Sequence, residues 1–198
     1  YGGGIYNNGG TLTVANSTLS GNSAPDGGGI YNQTGSTNLS NTIVVNSPSG
    51  LNCVQAGGTL TADSFNIDTD GSCGNATQMT SAQINLQPLA NNGGFTQTMA
   101  LGAGSLAINA GTNTSCPATD QRGVTRPQGS HCDIGAYEYE EVHFAVIGDY
   151  GYASQPELEV ANLVKSWNPD FVITVGDNNY NTGSATTIDP NIGQYYRE

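Results

Sequence analysis

A six-residue phrase that returns unchanged constrains this chain more than any other feature. Gly2-Gly3-Gly4-Ile5-Tyr6-Asn7 recurs as Gly27-Gly28-Gly29-Ile30-Tyr31-Asn32, 25 residues later. Gly9-Gly10-Thr11-Leu12-Thr13 returns as Gly57-Gly58-Thr59-Leu60-Thr61, at an offset of 48. A period of this length with short strand-like pieces marks a solenoid, in which each unit buries its apolar face against its neighbours. Within a unit, Thr11-Leu12-Thr13-Val14 and Ser17-Thr18-Leu19 alternate polar and apolar residues as strands do. Asn41-Thr42-Ile43-Val44-Val45-Asn46 is a β-branched run bounded by Asn. Gly and Asn at the corners tolerate a left-handed backbone. The pattern predicts a mainly β chain that begins as a right-handed parallel β-helix. Neither a disordered Gly/Asn/Ser-rich linker nor a β-sandwich accounts for a phrase repeated at 25 residues.

The 198 residues carry Lys+Arg 4 against Asp+Glu 16, a net charge of −12. So few cations exclude nucleic acid and anionic membrane surfaces as partners. No apolar run approaches the roughly 20 residues of a membrane span. The charges are also unevenly placed: no Lys, Arg or Glu precedes Arg122, and every Glu lies at Glu138 or later. The shift predicts three segments: β-helix coils over residues 1–80, their C-terminal cap over 81–140, and a different domain over 141–198. The chain begins inside a repeat unit and ends in Tyr195-Tyr196-Arg197-Glu198 with no closing signal, so it reads as a fragment at both ends.

Four cysteines admit three pairings, and proximity in sequence favours Cys53–Cys73 with Cys116–Cys132. Two local disulfides imply an oxidising compartment, and the absence of Cys-x-x-Cys spacing speaks against zinc. The coils offer little for catalysis, since the only acids before position 120 are Asp26, Asp63, Asp68 and Asp70. Asn66-Ile67-Asp68-Thr69-Asp70-Gly71 imitates the first half of a calcium loop, but Thr77 stands where a bidentate carboxylate is required. A solvated turn with Asx hydrogen bonds is therefore expected there, not calcium.

Pro88-Leu89-Ala90-Asn91-Asn92-Gly93-Gly94-Phe95, Gly104-Ser105-Leu106-Ala107-Ile108-Asn109-Ala110-Gly111, Asp120-Gln121-Arg122-Gly123-Val124-Thr125-Arg126-Pro127 and Asp133-Ile134-Gly135-Ala136-Tyr137-Glu138 carry a resemblance. Together they resemble the choice-of-anchor C-terminal region of bacterial surface β-helix proteins. The resemblance implies a secreted or cell-surface bacterial protein, with extracellular glycan or protein as partner, and no particular chemistry.

From Val142 the pattern changes. His143-Phe144-Ala145-Val146-Ile147 reads as a buried strand ended by Gly148-Asp149. Ser154 caps a helix, Pro156 sits in its first turn and Glu157 is the expected capping-box partner. Leu158, Ala161, Val164 and Trp167, flanked by Val160 and Leu163, make its apolar stripe. Asn168-Pro169 stops the helix, and Asp170-Phe171-Val172-Ile173-Thr174-Val175 is a second buried strand ended by Gly176-Asp177. A βαβ unit places both Gly-Asp turns at the carboxyl edge of a parallel sheet, where such sheets hold ligands. Two carboxylates at one rim favour a hard cation.

Gly148-Asp149-Tyr150-Gly151 and Gly176-Asp177-Asn178-Asn179-Tyr180 resemble the first two metal motifs of calcineurin-like metallophosphoesterases. They are most similar to the purple-acid-phosphatase branch, because Gly151 stands where the common branch has His. The resemblance implies that Asp149 binds the first metal, Asp177 bridges two, and Tyr180 coordinates the first, with Asn178 and Asn179 shaping the loop. It implies a pair of metal ions, iron with zinc, iron or manganese, that activate water and neutralise phosphoryl oxygens during in-line attack on a phosphate ester. The family's later Gly-Asn-His and Gly-His-x-His motifs are not in this sequence, and neither His131 nor His143 matches them. The expectation is therefore a truncated α/β phosphoesterase start, inactive alone, joined to a β-helix. The competing expectation is a non-enzymatic surface adhesion or structural protein.

Overall fold

The computed structural model describes residues 2–180 and 183–196. The chain is mainly β, with 35% of residues in strands and 15% in helices, and divides into two compact units, Tyr1–Glu140 and Glu141–Glu198.

Two parallel sheets build the first half of the first unit. One contains β1 (Ile5–Ala15), β3 (Ser23–Ser40) and β5 (Ser49–Gln55) in that order, with β6 (Thr59–Thr61) also paired to β3. The other runs β2 (Thr18–Ser20), β4 (Ile43–Val45), β7 (Ile67–Asp68), β8 (Thr77–Gln78). The repeated phrase is the register itself: Ile5, Tyr6 and Asn7 lie beside Ile30, Tyr31 and Asn32. Further along the same strands, Leu12 pairs with Thr37 and Thr37 with Leu60. An offset of 25 followed by one of 23 thus produces the 48-residue return.

Buried asparagines bind successive rungs. Asn7 Nδ2 donates to Asn32 Oδ1 (2.9 Å), and Asn32 Nδ2 donates to the Thr59 carbonyl (2.7 Å). A second file occupies the corners at a 25-residue spacing. Asn16 and Asn41 both have φ near 46°, and Asn41 Nδ2 donates to Asn16 Oδ1 (3.2 Å). Asn66 Oδ1 accepts the Thr42 N–H (3.0 Å). Short amides suit this role because they tolerate the left-handed turn and both donate and accept.

The β-branched run of β4 is explained by its two apolar faces. Val44 joins Val14, Ile30, Leu39, Cys53, Ala62 and Cys73 in one cluster. Ile43 and Val45 point the other way and pack with Ile67, Ile84, Leu101, Ala107 and Ile134. Each fully buried Ile or Val contributes roughly 1.5–3 kcal/mol.

The second cluster is closed by residues 81–140. A short helix, α1 (Ser81–Ile84), starts with a reciprocal capping box between Thr80 and Gln83 and drives Ile84 into the cluster. Strands β9 (Leu86–Ala90) and β10 (Thr98–Leu101) form an antiparallel pair. Both disulfides have the pairing expected, Cys53–Cys73 and Cys116–Cys132. The repeated Asp and Arg of this region form a buried ionic cluster. Arg122 Nε meets Asp120 (2.8 Å), its other end reaches Glu140 (3.1 Å), and its guanidinium lies 3.6 Å over the Tyr137 ring. Arg126 Nε faces Glu138 (3.5 Å). Asp133 instead accepts the backbone N–H groups of Asn109 and Tyr139, and burial pushes its carboxyl up to about 6 against those donors.

The Asn66–Gly71 turn departs from the solvated form expected. Asp68 is fully buried, because β7 pairs on both sides, and its carboxylate accepts the N–H groups of Gly71 (3.1 Å) and Cys73 (2.8 Å).

The second unit is a parallel pair, β11 (Phe144–Ile147) and β12 (Phe171–Thr174), joined through α2 (Gln155–Ser166), with α3 (Gln194–Tyr196) near its end. Its strands are not the buried ones expected. Phe144, Val146, Phe171, Val172 and Ile173 are all more than a third exposed, because the sheet has two strands among the described residues. The helix also buries a different face: Glu157, Ala161 and Val164 point inward, while Leu158, Leu163 and Trp167 are exposed. Ser154 Oγ accepts the Glu157 N–H (3.3 Å), as a cap should. The Glu157 carboxylate does not return to Ser154; it accepts the Gly151 N–H instead.

Candidate metal centre

The two Gly-Asp turns leave β11 and β12 at the same end, since the strands are parallel and Ile147 pairs with Thr174. The ladder continues past the strands. Val175 N–H donates to the Ile147 carbonyl (3.0 Å), and Asp149 N–H donates to the Gly176 carbonyl (3.3 Å). Both aspartates adopt the left-handed conformation, φ 55° at Asp149 and 48° at Asp177. Asp tolerates this better than most residues, and such backbone concentrates where side chains must be aimed.

Tyr180 joins them. Its hydroxyl donates to Asp177 Oδ2 (2.7 Å). That hydrogen bond, with the charges of Asp177 and Asp149 beside it, pushes the phenol up to about 12. Asp149, Asp177 and Tyr180 are thus brought together at one rim. Two carboxylates and a phenol are all hard oxygen donors. The negative surroundings that hold the proton on Tyr180 are those that attract a cation in its place. The donor set fits one side of a hard di- or trivalent ion. Among the described residues no cluster of three or more His, Cys, Asp or Glu side chains occurs, so the triad needs its phenol.

The loops around the triad are tightly specified. Gly151 has φ 104°, and a Cβ there would collide with the Asn178 carbonyl, so neither His nor any other side chain fits. Its carbonyl accepts the Tyr180 N–H (2.9 Å). Asn178 Nδ2 donates to Thr174 Oγ1 (3.1 Å), and Asn179 ties the second loop to Ser184, Thr187 and Asn191. Sequence reasoning missed two supports. Buried Asn191 donates to the Tyr180 carbonyl (2.6 Å) from a segment with no distinguishing motif. Glu157 was legible only as a cap residue. A cavity of about 220 Å³ beside Asp149 is lined by Tyr150, Tyr152, Ser154 and Glu157. No helix among the described residues is long and apolar enough to cross a membrane.

Comparison with protein-family models, with curated protein sequences and with solved structures finds no match to this chain in any of the three.

Proposed function

We propose that residues 141–198 are the opening portion of a metallophosphoesterase similar to the purple acid phosphatases, carried on a right-handed parallel β-helix with a cap. On this reading the full-length protein is a secreted or cell-surface bacterial hydrolase of phosphate monoesters, and this chain alone is inactive. One observation carries the reading: Asp149, Asp177 and Tyr180, 28 and 31 residues apart in sequence, meet at one sheet rim. Asp149 and Tyr180 would hold one metal ion and Asp177 would lie between two. The ions, iron with zinc, iron or manganese, would supply Lewis-acid activation of water and of the phosphoryl group. The chain's own residues aim the donors: Gly148 and Gly176 free the backbone to turn, and Gly151 lets the two loops close on each other. The coils would serve as an extracellular stalk, which the two disulfides support.

The test is calorimetric titration of this chain with Mn²⁺ and Fe³⁺ beside an Asp177→Ala variant, followed by p-nitrophenyl phosphate turnover in a longer protein that carries the remaining motifs. Binding lost in the variant and turnover above the same variant's background support the enzyme. Equal binding and equal turnover overturn it. A second reading, a surface adhesion or structural protein without catalysis, is favoured by one observation: the apolar clusters and the ionic cluster lie in the first unit.

A further inference from the structure

Glu157 occupies the buried face of α2, where an amphipathic helix ordinarily places an apolar residue; it is 7% exposed. Such a carboxylate is retained when something specific uses it. Its Oε2 accepts the Gly151 N–H (3.4 Å), and burial raises its pKa, opposed by the Tyr196 phenol beside it. Tyr196 in turn meets the Tyr150 ring edge-on at 5.4 Å. Gly151 is the junction of the two metal loops, because its carbonyl holds the Tyr180 N–H (2.9 Å). One peptide unit therefore links Glu157 on one side to Tyr180 on the other.

We infer that Glu157 is a positioning residue: it anchors the Gly151 junction from α2 and so fixes Asp149 and Tyr180 relative to one another. The inference rests on the reading of Asp149, Asp177 and Tyr180 as metal donors. Outer partners of metal ligands typically change affinity 10- to 100-fold when removed. A carboxylate at this position costs burial, and that cost is offset if it orders two loops at once. Gln can replace it, since the amide oxygen still accepts from Gly151; Ala cannot.

The experiment uses the whole chain, by amide hydrogen exchange without metal and by Mn²⁺ titration. Glu157→Ala should accelerate exchange at the Gly151 and Tyr180 amides by about tenfold or more and weaken Mn²⁺ binding by about 10- to 100-fold. Glu157→Gln should stay within about threefold of wild type in both. Ser154→Ala removes the helix cap without touching the loop and should leave both amides protected. The inference is overturned if Ser154→Ala reproduces Glu157→Ala, or if Glu157→Ala binds Mn²⁺ as wild type does. It is also overturned if the wild-type Gly151 amide exchanges at an unprotected rate, a result that needs no variant to fold. A wild-type chain that binds no Mn²⁺ overturns the metal reading, and with it the role of Glu157, while intact protection of the two amides identifies that failure as belonging to the metal.

Discussion

The two units of this molecule solve the problem of burying apolar surface in opposite ways. In the first, every rung finds the next at a fixed sequence offset, and a β-branched run such as Ile43–Val45 is covered on both faces. In the second, a single helix lies on a two-stranded sheet, and its buried apolar residues are Ala145, Tyr150, Ala161 and Val164. Phe144, Val146, Phe171 and Trp167 are left exposed. Local repetition supplies a core from nearest neighbours, whereas a βαβ unit depends on further elements to cover it. The chemistry is carried by the unit with the weaker core, where strain and unsatisfied charge are concentrated in a few loop residues.

The largest effect that could break this contrast is a difference in opening. Amide exchange and limited proteolysis should release residues 141–198 at least tenfold faster than residues 2–140. Equal rates would mean that the second unit is far better packed than its exposed apolar residues imply. Next in size, Ile43→Ala should cost the first unit roughly 2–5 kcal/mol in denaturant unfolding, with no change in the protection of α2. Loss of the Cys53–Cys73 bridge by a double Ala substitution should cost about 2–4 kcal/mol, again confined to the first unit.

The pH dependence should also separate the two. Asp133 is raised to about 6 by burial, above its ordinary 3.8. The first unit should therefore gain stability as pH falls from about 6 towards 3.8, and lose it again as pH rises through 6, by on the order of 2–3 kcal/mol. Asp68, raised by burial, acts in the same direction. Asp120 is lowered, with the Glu138 N–H and Arg122 outweighing burial, so the gain should reverse below 3.8 as that carboxylate is protonated. A melting temperature that falls steadily between pH 6 and 4 would contradict this account of the cap. The smallest effect is at the second unit's surface: Phe171→Ala removes a cross-strand partner stacked 5.6 Å from Phe144 and should cost only about 0.2–1 kcal/mol.

Much of this was legible in the chain itself, for identifiable reasons. Ile5-Tyr6-Asn7 and Ile30-Tyr31-Asn32 announced their pairing because in a stacked structure register and repeat are one quantity. The paired cysteines were readable from proximity, and the Gly-Asp turns from the apolar runs before them. What escaped was set by tertiary packing. The inward face of α2 is chosen by what the sheet leaves room for, so Leu158 and Trp167 fit the helical stripe as well as Ala161 does yet stay outside. Glu157 satisfied a local rule for helix starts, and a more distant donor at Gly151 won. Asp68 was a plausible solvated turn until the ladder of β4, β7 and β8 closed around it.

The 25-residue file of Asn16, Asn41 and Asn66 bears on how such a molecule changes length. Each amide reaches only the adjoining layer, so a whole layer can be duplicated or deleted while every surviving contact keeps its neighbour. A single inserted residue would put the file out of step at once. Growth is thus quantised: recombination between near-identical stretches extends the rod by about 4.8 Å per copy, and the height at which its passenger stands is set by counting.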